Sequence, residues 1–98
     1  MSSSTTASGR PVMEGYLYKQ SRWMKQWRKR YFRLIGNTLY ASTTPEEAPH
    51  HTISLAHVLT VKSAEEKTGK SHAFEVATPE EVYYMYAESD EIKDDWIG

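Results

Sequence analysis

Trp27-Arg28-Lys29-Arg30-Tyr31-Phe32-Arg33-Leu34 is the stretch on which the fold turns. Its aromatic and branched residues suit a strand, and alternate residues of a strand face the same side. Arg28, Arg30, Phe32 and Leu34 therefore share one face. Upstream, Glu14-Gly15-Tyr16-Leu17-Tyr18-Lys19 alternates in the same way and puts Leu17 and Lys19 together. Leu17, Phe32 and Leu34 are core residues on this reading. If the two strands pair as a hairpin, Lys19, Arg28 and Arg30 fall at the loop end of the core-facing side.

Further segments of the same character follow. Strands are predicted near 14–20, 27–35, 38–43, 50–55, 58–62, 71–77 and 81–88. Turn chemistry separates them: Gly36-Asn37, then Pro45 and Pro49, then Gly69, then Pro79. Ser89 is placed to cap a final helix, with Asp90 and Glu91 at the positive end of its dipole. Ile92 and Trp96 are expected to share that helix's apolar face and to cover the open end of a strongly bent sheet. Only about ten residues remain for this helix, short even for a docked one, so the chain is expected to end inside a longer helix. Residues 1–12 are mostly Ser, Thr, Ala, Gly, Arg and Pro, and are read as a disordered leader or tag remnant. The domain is expected to occupy 13–98. The repeated Thr44-Pro45-Glu46-Glu47 and Thr78-Pro79-Glu80-Glu81 reads as reused turn chemistry.

The 98 residues suffice for one core, and the absence of cysteine excludes disulfides and thiolate metal sites. No apolar run reaches the roughly 18 residues of a membrane span, and no lipid anchor is expected. The chain is expected to be soluble, with peripheral membrane contact. The formal net charge of -1 hides a strong segregation. Residues 15–35 hold Lys19, Arg22, Lys25, Arg28, Lys29, Arg30 and Arg33 without an acid, whereas residues 75–98 carry eight acids against Lys93. Such segregation points to an anionic partner at one face and away from wholesale coating of nucleic acid.

Uncompensated cations on the apolar side of a hairpin are unfavourable unless an anion arrives, and a phosphorylated ligand meets that need. Arginine grips phosphate oxygens with a planar fork, and lysine adds a point charge. Ordinary solvated charge, or salt bridges to the distant acids, is the alternative. The loop Gln20–Trp27 adds Arg22 and Lys25 beside Trp23 and Met24. An apolar pair at a basic loop tip can enter a lipid headgroup region; equally, Trp23 can fold back over the hairpin. His50, His51, His57 and His72 lack Cys or Asp partners at metal-ligand spacing, so no metal is expected. Nor is catalysis, because the acids lie in turns and at a helix start. Basic residues interleaved with Trp23, Trp27 and Tyr31 could stack single-stranded nucleic acid, but the acidic C-terminal quarter opposes this.

With Asn37-Thr38-Leu39-Tyr40, His72-Ala73-Phe74-Glu75-Val76 and a late helix bearing Trp96, the segments quoted above resemble the pleckstrin-homology (PH) family from about Glu14 to Gly98. The resemblance implies a mainly β fold: a seven-stranded, bent antiparallel β-barrel or sandwich capped by a C-terminal α-helix. It implies a non-enzymatic, cofactor-free cytoplasmic module recruited to the plasma membrane or another phosphoinositide-bearing membrane. Family members that bind 3-phosphorylated phosphoinositides tend to carry a lysine ending the first strand, then a basic residue, any residue and arginine in the second. Lys19, Arg28 and Arg30 match. By this likeness Lys19 and Arg30 hold the 3-phosphate of phosphatidylinositol 3,4,5-trisphosphate or 3,4-bisphosphate, with Arg22 and Lys25 nearby. A tyrosine of the third strand helps in the family; Tyr40 is the nearest, and a shift of one residue puts Ala41 there. Glu46, Glu47 and His50 imply a weak site for a 5-phosphate. The alternative within this fold is a protein-interaction domain whose basic rim takes an acidic peptide or partner domain.

Overall fold

The computed structural model describes residues 12–97, so most of the expected leader lies outside the described residues. The strands are β1 (Met13–Gln20), β2 (Trp27–Ile35), β3 (Thr38–Ser42), β4 (His51–Ser54), β5 (Thr60–Ser63), β6 (Ala73–Ala77) and β7 (Val82–Tyr86). A 3-10 turn at Leu55–His57, a short helix α1 (Glu65–Thr68) and a C-terminal helix α2 (Asp90–Ile97) complete the elements. All seven strands join one sheet in the order β4-β3-β2-β1-β7-β6-β5, and every register described is antiparallel. Seven antiparallel strands with a C-terminal helix are as expected. The fifth strand begins two residues later than its apolar pattern implied, and α1 was not anticipated. No side chain caps the start of α1, so its usual local signal is missing; its end is marked by Gly69 in the left-handed region at φ 74°.

The chain divides into two compact units, one of residues up to Tyr16 with Arg30–Ala56, the other of Leu17–Lys29 with His57–Gly98. In the first, Gly36-Asn37 forms a two-residue turn between the paired Ile35 and Thr38, with Gly36 at φ 60°. Glycine takes that conformation without strain, and the turn sets the register. Phe32 then pairs with Ala41, Leu34 with Leu39, and Leu39 with Ile53. Phe32, Leu39, Ala41 and Ile53 are buried together on one face. On the opposite face the Glu14 carboxylate accepts hydrogen bonds from the Tyr31 hydroxyl at 2.9 Å and Arg33 Nε at 3.4 Å.

In the second unit, Lys19 pairs with Met85, Phe74 with Met85, and Val61 with Val76. Leu17, Phe74, Val76 and Met85 form its buried face. On the other face Tyr18 stacks on Tyr86 with ring centroids 4.6 Å apart, and Trp27 meets Tyr86 edge-on at 5.0 Å. Ser89 caps α2 as expected, its hydroxyl accepting from the Ile92 amide at 3.2 Å. The face that α2 buries differs from the expectation: Ile92 is exposed, and Lys93 is 6% exposed. Lys93 buries its aliphatic stem while its ammonium reaches Glu65 of α1 at 3.4 Å. A non-local carboxylate thus draws a lysine into the position that apolarity alone would give to isoleucine.

Candidate ligand-binding hairpin

The loop between β1 and β2 is closed by its own hydrogen bonds. The Ser21 amide donates to the Gln26 carbonyl at 2.7 Å, the Lys25 amide to the Ser21 carbonyl at 3.1 Å, and the Gln26 amide to Ser21 Oγ at 3.0 Å. Lys25 takes a left-handed conformation, φ 55°, which turns the chain back toward β2. A loop pinned at its base holds its tip outward. Trp23 is 85% exposed and Met24 66%, so Trp23 does not fold back over the hairpin. The Arg22 guanidinium lies 5.4 Å from the Trp23 ring centroid.

Lys19 faces the same side as Met85, and its ammonium sits 5.4 Å from the ring centroid of Tyr83, two residues earlier on β7. Arg28 is exposed at the start of β2, donating to Gln26 Oε1 at 3.2 Å. Lys19, Arg22, Lys25 and Arg28 thus belong to one compact unit with Trp23 and Met24. Arg30 lies in the other unit, half-buried, two residues further along β2. It shares the strand parity of Arg28 and Phe32. Tyr40 pairs with Arg33, whereas Ala41 pairs with Phe32. Directly paired residues project to the same face, so Ala41, and not Tyr40, stands on the side of Phe32 and Arg30. The register thereby corrects the placement expected for Tyr40.

Two further residues from outside the hairpin meet its cations. Arg22 Nη1 lies 3.7 Å from Glu81 Oε1. Tyr83 hydrogen-bonds the Glu81 carboxylate, and its hydroxyl pKa is raised, by burial first and by Glu81 next. Neither residue was singled out in the sequence. Strand parity aligns Glu81 with Tyr83, but only the β1–β7 register brings Tyr83 to Lys19.

Elsewhere in the second unit, ligand atoms of Glu65, His72 and Asp90 lie within 4.8 Å of one another, a grouping of residues far apart in sequence. His72 Nδ1 meets Asp90 Oδ1 at 2.7 Å, the His72 amide donates to Glu65 Oε2 at 2.9 Å, and Lys93 is 3.4 Å from that same oxygen. These are internal partners that tie α1, the turn before β6 and the start of α2 together, and the Lys93 ammonium opposes a cation there.

The PH domain family model matches residues 11–98. Pleckstrin homology domain-containing protein 1 of Arabidopsis thaliana is 33% identical over 94 residues, covering 90% of this chain and 65% of that protein. The RAC family serine/threonine-protein kinase homolog of Dictyostelium discoideum is 35% identical over 85 residues, covering 86% of this chain and 19% of that protein. The chain thus spans less than two thirds of either relative's length. Among solved structures, the C-terminal PH domain of pleckstrin in complex with D-myo-Ins(1,2,3,4,5)P5 superimposes with a TM-score of 0.74 and 28% identity, covering 89% of this chain and 90% of that one. Another crystal structure of that pleckstrin domain gives a TM-score of 0.76 and 30% identity, with 91% of each chain covered. With the family model spanning nearly the whole sequence and the strands and helix in agreement, this chain belongs to the PH domain family.

Proposed function

We propose that the chain is a phosphoinositide-dependent membrane-recruitment module that works by capture and not by catalysis. Lys19, Arg28 and Arg30 are the phosphate ligands, Arg22 and Lys25 add charge around them, and Trp23 with Met24 enters the headgroup layer. The preferred lipids are 3-phosphorylated, and the protein moves from cytoplasm to the membrane that displays them. The observation that carries this reading is the hairpin itself: four cations and an outward Trp-Met pair on a loop held by its own hydrogen bonds. Charge and apolar surface at one tip suit an anionic interface, where each basic residue contributes about 1 kcal/mol. A similar pleckstrin domain was solved with an inositol pentakisphosphate, which supports the head-group class. Arg30 enters through its strand parity with Arg28 and the basic-x-Arg pattern, while Tyr40 is not carried forward because of its register.

The test is co-sedimentation at physiological salt with vesicles holding one phosphoinositide at a time over phosphatidylserine, for wild type and Arg30→Ala. Preferential binding to 3-phosphorylated lipids, lost in Arg30→Ala while the thermal transition is retained, is the expected result. Equal weak binding to every anionic vesicle refutes the head-group reading and turns the search to acidic protein partners.

A further inference from the structure

We propose that Glu81 is a built-in counter-ion of the basic hairpin, which an arriving inositol polyphosphate must displace, so that this residue limits how much anionic charge the tip accepts. The proposal deepens the phosphoinositide reading and rests on it.

Glu81 is held firmly. The Thr78 amide and hydroxyl both donate to the Glu81 carbonyl at 2.8 Å, and the Glu81 amide donates to Thr78 Oγ1 at 3.1 Å. The Thr78-Pro79-Glu80-Glu81 turn thus fixes where β7 begins and which way the Glu81 side chain, just before that strand, leaves the chain. That carboxylate engages the hairpin by two routes. Directly, it lies 3.7 Å from Arg22 Nη1, while the same guanidinium sits 5.4 Å from the Trp23 ring. Indirectly, it accepts the hydrogen bond of Tyr83, whose ring lies 5.4 Å from the Lys19 ammonium. One acid therefore bears on two cations at the β1 side of the loop, Lys19 in the strand and Arg22 beyond it.

The Arg22 side chain is 61% exposed and that of Glu81 21% exposed. An ion pair with so open a partner is weak and easily exchanged for a stronger anion. A phosphate cluster bearing several charges is such an anion, and fork-like pairing of arginine with phosphate favours the exchange. After the exchange the displaced carboxylate stays close by, anchored through its main chain. Its repulsion grows in proportion to ligand charge, so it disfavours polyphosphates more than monophosphates. Glu81→Gln removes the charge, keeps an oxygen able to accept from Tyr83 and leaves the Thr78 hydrogen bonds, which are to main-chain atoms, in place.

Calorimetric titration with soluble inositol 1,3,4,5-tetrakisphosphate and with inositol monophosphate tests this in wild type, Glu81→Gln, Arg22→Ala, the double variant and Arg28→Ala. Vesicles of phosphatidylserine alone, and with a phosphoinositide trisphosphate, form the lipid arm. Glu81→Gln is expected to bind the tetrakisphosphate about three- to tenfold more tightly, with a smaller gain for the monophosphate. Arg22→Ala is expected to cost less than about twofold when Glu81 is present and at least about threefold in the Glu81→Gln background, since only there is Arg22 released. Unchanged or weaker tetrakisphosphate binding by Glu81→Gln, or an Arg22→Ala effect equal in both backgrounds, overturns the proposal. So does tightening confined to phosphatidylserine vesicles, which reduces Glu81 to general repulsion from an anionic surface. Binding by wild type that Arg28→Ala abolishes, with no gain in Glu81→Gln, sinks this inference alone. Absence of head-group binding by wild type sinks the parent reading and this inference with it.

Discussion

Removing the Trp23 side chain separates insertion from head-group capture. In the free protein this side chain is almost wholly in water, at 85% exposure, so Trp23→Ala deletes little that the fold uses. A large aromatic side chain carries about 150–250 Å² of burial, and at about 25 cal/mol per Å² complete transfer from water is worth about 4–6 kcal/mol. An indole at a membrane stays at headgroup level instead of entering hydrocarbon, so about 2 kcal/mol of that is realised, or about 30-fold in partitioning. Trp23→Ala is thus expected to lower binding to phosphoinositide vesicles by about one to one and a half orders of magnitude. Affinity for a soluble inositol polyphosphate is expected to stay within about twofold, because the phosphates meet the cations and not the indole. The urea midpoint is expected to stay within error, as for most exposed substitutions. Fluorescence gives an internal check: Trp27 and Trp96 are already half-buried, so a blue shift on vesicle addition should be carried by Trp23 and vanish in the variant. Vesicle binding by Trp23→Ala within twofold of wild type refutes the insertion argument. An equal loss toward the soluble head group shows instead that the indole shapes the anion site.

Two further predictions concern the fold. Phe32 is 0% exposed and pairs with Ala41, so Phe32→Ala is expected to cost about 3–5 kcal/mol in urea unfolding; a loss below about 1 kcal/mol would show that this core can collapse around the gap. The Asp90 carboxyl is held below its ordinary pKa chiefly by its hydrogen bond with His72, against a smaller opposing effect of desolvation. A depressed carboxyl stabilises the fold above its unfolded pKa, near 3.9, and that contribution fades as pH falls through the lower folded value. Asp90→Asn is therefore expected to be less stable than wild type at neutral pH and to converge with it in acid; a gap that persists unchanged below both values removes the ionic explanation.

Alternation along 27–34 already placed Phe32 and Leu34 on one side, and the pairing of Phe32 with Ala41 in the structure agrees. Gly36-Asn37 marked a turn because its chemistry is carried by two adjacent residues. Ser89 was legible for the same reason, since a cap and the amide it satisfies are three residues apart. The face of Tyr40 hinged on the length of the turn before β3: a shift of one residue in pairing reverses every side chain of β3, and Gly36-Asn37 fixes the pairing because the turn holds just two residues. The meetings of Tyr83 with Lys19 and of Glu81 with Arg22, and the burial of Lys93 against Glu65, depend on residues 28 or more positions apart.

The sequence by itself determined the strands, their turns, the capped helix and the basic, apolar-tipped hairpin, because each rests on periodicity or on hydrogen bonds between near neighbours. Only the tertiary structure decided which acid answers Arg22 and which residue α2 buries. Those outcomes follow from registers and ion pairs between distant segments, whose energies exist only once the chain has brought the partners together.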